Sequence, residues 1–281
     1  MAEMKKRKKN PYLTVNIIIV ILLGLLAVLV VLPFVWMVLS SFRTNKDIRL
    51  NISSMWPDPW TLTGYAAALT KAPFVRWFIN SVFVSTTVTL IVLFTSSITG
   101  FVFAKYKFPF KNLIFGVILA TMMVPSQVLM IPNFLIVKGL GLYNRLGALI
   151  VPMMVSMFGI FLCKQFIEDI PDSLCEAARI DGAGDFFIYA RIILPNIKPC
   201  IGSLTIFTFL ERWNDYLNPL IMLNDTEKMT LPLALNFFSS QHLADLSATM
   251  AVASLVMVPV LIVFIMFQKQ FIKGLALSGM K

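Results

Sequence analysis

Histidine is almost missing from this chain, with His242 the single one among 281 residues. A histidine-based metal centre or a Ser-His-Asp relay has almost nothing to be built from. Cysteine is scarce too. Cys163, Cys175 and Cys200 stand 12 and 25 positions apart, which makes neither a C-x-x-C pair nor a disulfide framework, so reduced, structural cysteines are expected. Charged residues are only 14% of the chain against 58% hydrophobic ones, and the mean hydropathy is +0.82. A soluble domain is not made this way. There is no G-x-x-x-x-G-K-[ST] phosphate loop, so any ATP used must be bound by another chain, and no cofactor site is expected in this one. A basic stripe interleaved with aromatics is missing as well, so the net charge of +10 gives no reason to invoke nucleic acid.

Long apolar runs are what the chain has in quantity. A helix crosses a bilayer with about 20 apolar residues, and the sequence offers six such stretches, at roughly 14–39, 79–103, 113–137, 146–163, 199–222 and 247–268. The reading is an all-α membrane protein with a basic tail over 1–13, a membrane domain over 14–268 and a carboxyl-terminal tail over 269–281. The first stretch follows Lys5-Lys6-Arg7-Lys8-Lys9, but its apolar core is too long for a signal peptide and no small-residue cleavage site follows. The five cations set the amino terminus inside, and six spans bring the carboxyl terminus back to the same side. Under that orientation 15 Lys and Arg lie inside and eight outside, as the charge rule for membrane topology requires. The outer segment 40–78 carries "WPDPWTLTGYAAAL", a proline-rich turn before a short helical pattern. Pro125 and Pro132 in the third stretch, Pro152 in the fourth and Pro259 in the sixth predict bent helices whose freed carbonyls are satisfied by neighbours.

The fifth stretch, "IGSLTIFTFLERWNDYLNPLIML", places Glu211, Arg212, Asn214 and Asp215 at membrane depth. Such groups default to a water-filled cavity or a partner surface. Arg212 and Asp215 stand three apart and can pair on one helix face. Lining of a pathway and polar packing between helices or subunits both remain open on these residues alone.

Residues 164–198 form the longest inner loop. Ser173-Leu174-Cys175-Glu176 matches a capping box and predicts a helix from Asp172 to Asp181. Gly182 and Gly184 then permit a turn, and a second helix is expected to run to Leu194, ending at Pro195. The first helix offers small residues and charge, while Phe186, Phe187, Ile188, Tyr189, Ile192 and Ile193 in the second carry too much apolar area for water. One part should face a partner and the other rest on the membrane domain; an amphipathic hairpin lying on lipid headgroups is the alternative.

Glu176-Ala177-Ala178, then Gly182, then Ile192, Leu194 and Pro195 reproduce the spacing E-A-A-x3-G-x9-I-x-L-P. The chain thereby resembles the membrane subunits of binding-protein-dependent ABC importers. "EAARIDGA", "ERWNDYLNPLIML" and "FIKGLALSGMK" are similar to the carbohydrate permeases of the maltose type. The resemblance covers essentially the whole chain. It implies the type I ABC importer permease fold, six transmembrane helices with a cytoplasmic helix-turn-helix coupling loop. It also implies a multi-pass protein of the bacterial inner membrane and a pore shared with a second, similar permease. Two copies of an ATPase subunit that hold ATP and Mg, and an extracytoplasmic sugar-binding protein, complete the implied assembly. Carried over, Glu176, Ala177, Ala178 and Gly182 form a surface that docks on the ATPase, with Arg179, Asp181 and Asp185 as polar contacts. Trp213 and Asn214 join Glu211, Arg212 and Asp215 as candidates to line the sugar's path. In the outer loop 224–246, Asn236, Phe237, Ser239 and Gln241 take the place of contacts to the binding protein. The chain itself is then no enzyme. The sugar is not written in it, since specificity is shared with the binding protein and the second permease. Two competing classes are a secondary transporter with Glu211 and Asp215 as ion-coupling carboxylates, and an intramembrane enzyme. Carriers of the first class usually show inverted repeats, which the halves of this chain lack, and the second class lacks a nucleophile–base pair.

Overall fold

A computed structural model describes residues 13–233 and 245–278, and every regular element among them is helical. Helix α1 (Leu13–Ser40) carries exposed apolar side chains from Val15 to Val35, the pattern of a helix whose burial comes from lipid or another chain. The segment after α1 folds as α2 (Asn45–Leu50) and α3 (Thr63–Lys71). The second of these answers to the helical pattern read after "WPDPW", whereas α2 was not anticipated. It starts because Thr44 Oγ1 accepts from the Asp47 amide. It is then held by Arg43, whose fully buried guanidinium pairs with Asp47 at 2.5 Å and donates to the Ser54 and Asn51 carbonyls at 2.8 and 2.9 Å. The second span is α4 (Phe74–Lys105), 32 residues without a break.

From here the spans are broken. The third expected stretch is two helices, α5 (Lys111–Thr121) and α6 (Met130–Gly139), separated around Pro125. Pro132 falls in the first turn of α6, where a missing amide costs no helical bond. The fourth comprises α7 (Gly147–Ile150), a 3-10 turn with Pro152, and α8 (Met157–Glu168), with a 42° bend between the halves. Thr95 Oγ1 of α4 donates to the Met154 carbonyl in that break at 2.9 Å, the side-chain rescue that a broken helix in lipid requires. The loop after α8 holds α9 (Asp172–Ile180) and α10 (Asp185–Ile188), a widened π turn over Tyr189–Ile193, and α11 (Leu194–Asn196). A 79° bend leads into α12 (Lys198–Trp213). The expected fifth span stops short of its sequence limit: Asn214 ends α12 and α13 (Leu217–Met222) follows separately. Last comes α14 (Leu246–Ser278), with Pro259 inside it. Thus α1, α4 and α14 are the described helices that are unbroken, long and apolar enough to cross a membrane, with two bent pairs beside them.

Small residues draw the bundle together, as they do where lipid supplies no hydrophobic drive between helices. A Cβ on Gly100 of α4 would stand 2.7 Å from Cys163 Cβ of α8, and one on Gly202 of α12 would stand 2.3 Å from Gln270 Cβ of α14. Cys163 and Cys200 are buried and free, their sulfurs 3.7 Å apart.

Candidate functional site

The elbow between α9 and α10 is built on a positive-φ glycine. Helix α9 closes with the Ala183 amide donating to the Ala178 carbonyl at 2.9 Å and the Gly182 amide to the Arg179 carbonyl at 3.0 Å. With Gly182 at φ +83° this is a Schellman cap. A Cβ at Gly182 would meet nothing within 4 Å, so backbone angle alone demands glycine there. Gly184, at φ −71° and equally uncrowded, has no such need, so of the two glycines read as permitting the turn only Gly182 uses that freedom. The capping box also fails. Ser173 lies inside the helix behind Pro171, and no side chain caps that end. Asp172 instead pairs with Lys105 at the end of α4, at 2.6 Å.

Glu176, Ala177, Asp181 and Gly182 are exposed, and Ala178 is half-buried against the core. Ile180 is 86% exposed, an apolar side chain beside the signature residues that the motif did not single out. Ala178, Asp181, Gly182, Ala183, Gly184 and Phe187 line a shallow open depression. The second half of the elbow is divided. Ile188, Tyr189 and Ile193 are buried in the core while Phe186 and Phe187 face outward. Arg179 and Asp185, expected as outward contacts, are turned partly upon the elbow itself. They pair across the Gly182 turn at 3.3 Å, and the Arg179 guanidinium lies over the Tyr106 ring, 5.5 Å from its centroid. The nearby Tyr106 hydroxyl, short of good hydrogen-bond geometry, and the Arg179 guanidinium hold the Asp185 carboxyl below the usual carboxylate range.

The second assembly of polar groups is a cavity of about 470 Å³ between the broken spans. Ser126 and Gln127 reach it from the α5–α6 break, Asn133 from α6, Pro152 from the turn before α8, and Glu211, Arg212, Asn214 and Asp215 from the end of α12. Arg212 is bonded to Glu211 and lies 3.6 Å from Asp215 Oδ2, the i, i+3 pair read from the sequence. Asp215 has a second task. Its carboxylate accepts from the Asn218 amide at 3.2 Å and side chain at 2.8 Å, so the polar run that was read as part of one span starts a new helix. Trp213 does not face the cavity. It is fully buried, stacked on Phe209, and donates to the Val256 carbonyl of α14 at 3.0 Å. Sequence reasoning missed Gln127 and Asn133, whose only signal was polarity beside a proline break. Asn236, Phe237, Ser239 and Gln241 lie outside the described residues.

Residues 96–276 match the model of a family described as "Binding-protein-dependent transport system inner membrane component". An arabinooligosaccharides transport system permease protein, AraQ, of Halalkalibacterium halodurans is 33% identical over 98% of this chain and 99% of its own length. A diacetylchitobiose uptake system permease protein, NgcG, of Streptomyces coelicolor is 32% identical over 89% of this chain and 83% of its own. Among solved structures, a bacterial ABC transporter described as involved in import of the acidic polysaccharide alginate superposes with a TM-score of 0.81 at 22% identity. That likeness covers 95% of this chain and 100% of the other and concerns the fold alone.

Proposed function

The chain belongs to the family of binding-protein-dependent transport system inner membrane components, and on that premise we propose that it is the permease subunit through which a sugar or oligosaccharide crosses the membrane. The cargoes named for its relatives, arabino-oligosaccharides and diacetylchitobiose, are the reason for the sugar. In this reading the chain spans the membrane six times, with the α5–α6 pair and the two bent pairs each counting as one crossing and both termini inside. It shares its pore with a second permease. Two ATPase subunits carry ATP and Mg, and an extracytoplasmic binding protein delivers the sugar.

One observation carries the reading. The signature residues Glu176, Ala177 and Gly182 stand exposed on a turn that is stiffened at its cap and braced from α4. A lever that passes on the closure of a separate motor must be small-featured where it docks and rigid where it is rooted; a slack loop would absorb the movement. ATP binding then favours one of two arrangements of the bundle by its differential affinity for them. The cavity at the broken spans is the place where sugar hydroxyls would meet amide and carboxylate groups, since irregular backbone at membrane depth is tolerated where it lines water or protein.

The test is reconstitution. Proteoliposomes holding this chain with its second permease and ATPase pair, supplied with loaded binding protein outside, should take up the sugar only with ATP inside. The chain alone should accumulate none. Accumulation by the chain alone under an electrochemical gradient would overturn the proposal.

A further inference from the structure

Only one of the long described helices, α4, has no proline within it, and both of its ends are tied to segments distant in the chain. At its carboxyl end Lys105 donates to the Ile170 carbonyl and pairs with Asp172. The next residue, Tyr106, supports the Arg179 guanidinium. Four residues before Lys105, Phe101 packs on Tyr189 at 5.8 Å, and four earlier again Ser97 shares a buried hydrogen bond with Tyr189 at 2.7 Å. The elbow is therefore rooted on one face of α4 over its last three turns. At the amino end, Asn80 Nδ2 donates to the Glu227 and Met229 carbonyls at 3.0 and 2.9 Å. Trp77 Nε1 donates to the Thr226 carbonyl at 2.5 Å, and Arg76 pairs with Glu227 at 2.9 Å. Those partners belong to the strap over 223–233, the segment leading away from α13.

Thirty-two residues at 1.5 Å each make a rod of about 48 Å. The other routes leading from the elbow have a joint in them, and the two other unbroken long helices, α1 and α14, each hold a proline. The α5–α6 pair is interrupted at Pro125, the α7–α8 pair bends by 42°, and the path from the elbow into α12 passes a widened turn and a 79° bend. Movement entering at the elbow is yielded at those joints, whereas along α4 it is not. Rigid secondary elements are among the structures that carry coupling between distant sites, and α4 is such an element tied at both ends.

We infer that α4 is the transmission rod of this permease, mechanically linking the elbow at one membrane face to the strap 223–233 at the other. Lys105 and Asn80 are the positioning residues of its two ends. The inference rests on the permease reading above and deepens it: docking at the strap side would be felt at the elbow, and the reverse.

The complete reconstituted assembly is the system in which to test it, reading the ratio of ATPase activity with loaded binding protein to basal activity. K105M and N80L should each lower that ratio about tenfold, within the range usual for coupling between sites, with basal ATPase and assembly yield unchanged. K105R, which keeps donors for Ile170 and Asp172, should retain most of the stimulation. The double variant K105M/N80L should fall no lower than the worse single, because a rod freed at one end is already disconnected. Undiminished stimulation in either single variant, or a double loss equal to the product of the single losses, would overturn the rod. A wild-type assembly that forms but shows no stimulation by binding protein would instead sink the permease reading on which the rod depends.

Discussion

Gly182 is the residue on which the elbow turns, because its φ of +83° costs a side-chain-bearing residue of order 1–2 kcal/mol and a β-branched one suffers most. G182V should therefore depress sugar uptake severely while the amount of protein in the membrane, read by immunoblot, stays at the wild-type level. G184A is the matched control, and with an ordinary φ and open space around it it should transport normally. Asp47 gives a residue-scale effect of another kind. Its carboxyl is pulled down to about 2, first by the hydrogen bond from Arg43 and next by that from Asn51. A group whose folded value lies below its unfolded one stabilises the fold above the unfolded value and loses that contribution as pH falls through the folded one. The thermal midpoint of the purified protein should accordingly fall between about pH 4 and pH 2, and D47N should flatten that part of the profile.

Elements meet here through absent side chains. Gly100 lets α4 lie against Cys163 of α8, and inserting a large residue into such a contact costs typically about 1–3 kcal/mol. G100L should lower the midpoint of thermal unfolding in detergent by several degrees, while G116L, where a Cβ meets nothing, should leave it unchanged. Equal midpoints for both would remove the α4–α8 contact from the account. The breaks between elements also have local causes. Pro125 and Pro152 were legible as breaks, whereas Pro132 starts a helix, and Thr95 supplies the donor that the broken fourth stretch needs. The division of the fifth was not legible. Its polar residues were read as part of one continuous span, whereas α12 ends at Trp213 and Asp215, before α13, accepts from Asn218 in that helix's first turn.

At the scale of the whole molecule, Glu211 and Asp215 decide between a pump driven from outside the chain and a carrier driven by ions. Glu211 is bonded to Arg212, and Asp215 is engaged by both Arg212 and Asn218, so one guanidinium offsets part of the charge of two carboxylates and substitution has to separate the two readings. In whole cells E211Q should leave uptake insensitive to collapse of the proton gradient at constant ATP. A shift in gradient dependence on that substitution would revive the carrier reading.

The sequence alone determined the chemistry that local composition controls: the apolar stretches, the scarcity of catalytic side chains, the seven positions of the family signature and the glycine turn within it. Each of these follows from residues close together in the chain. The tertiary structure decided which side chains meet across long separations. Trp213, read as lining a path, is buried because α14 lies over it. Arg179 and Asp185, read as polar contacts to a partner, are exposed and also meet each other, with Arg179 over the Tyr106 ring. Lys105, silent in the sequence, roots the elbow because Ile170 and Asp172 fold back onto the end of α4. No periodicity or motif encodes such pairs, since the free energy that selects them comes from packing and charge between segments that only the completed bundle brings together.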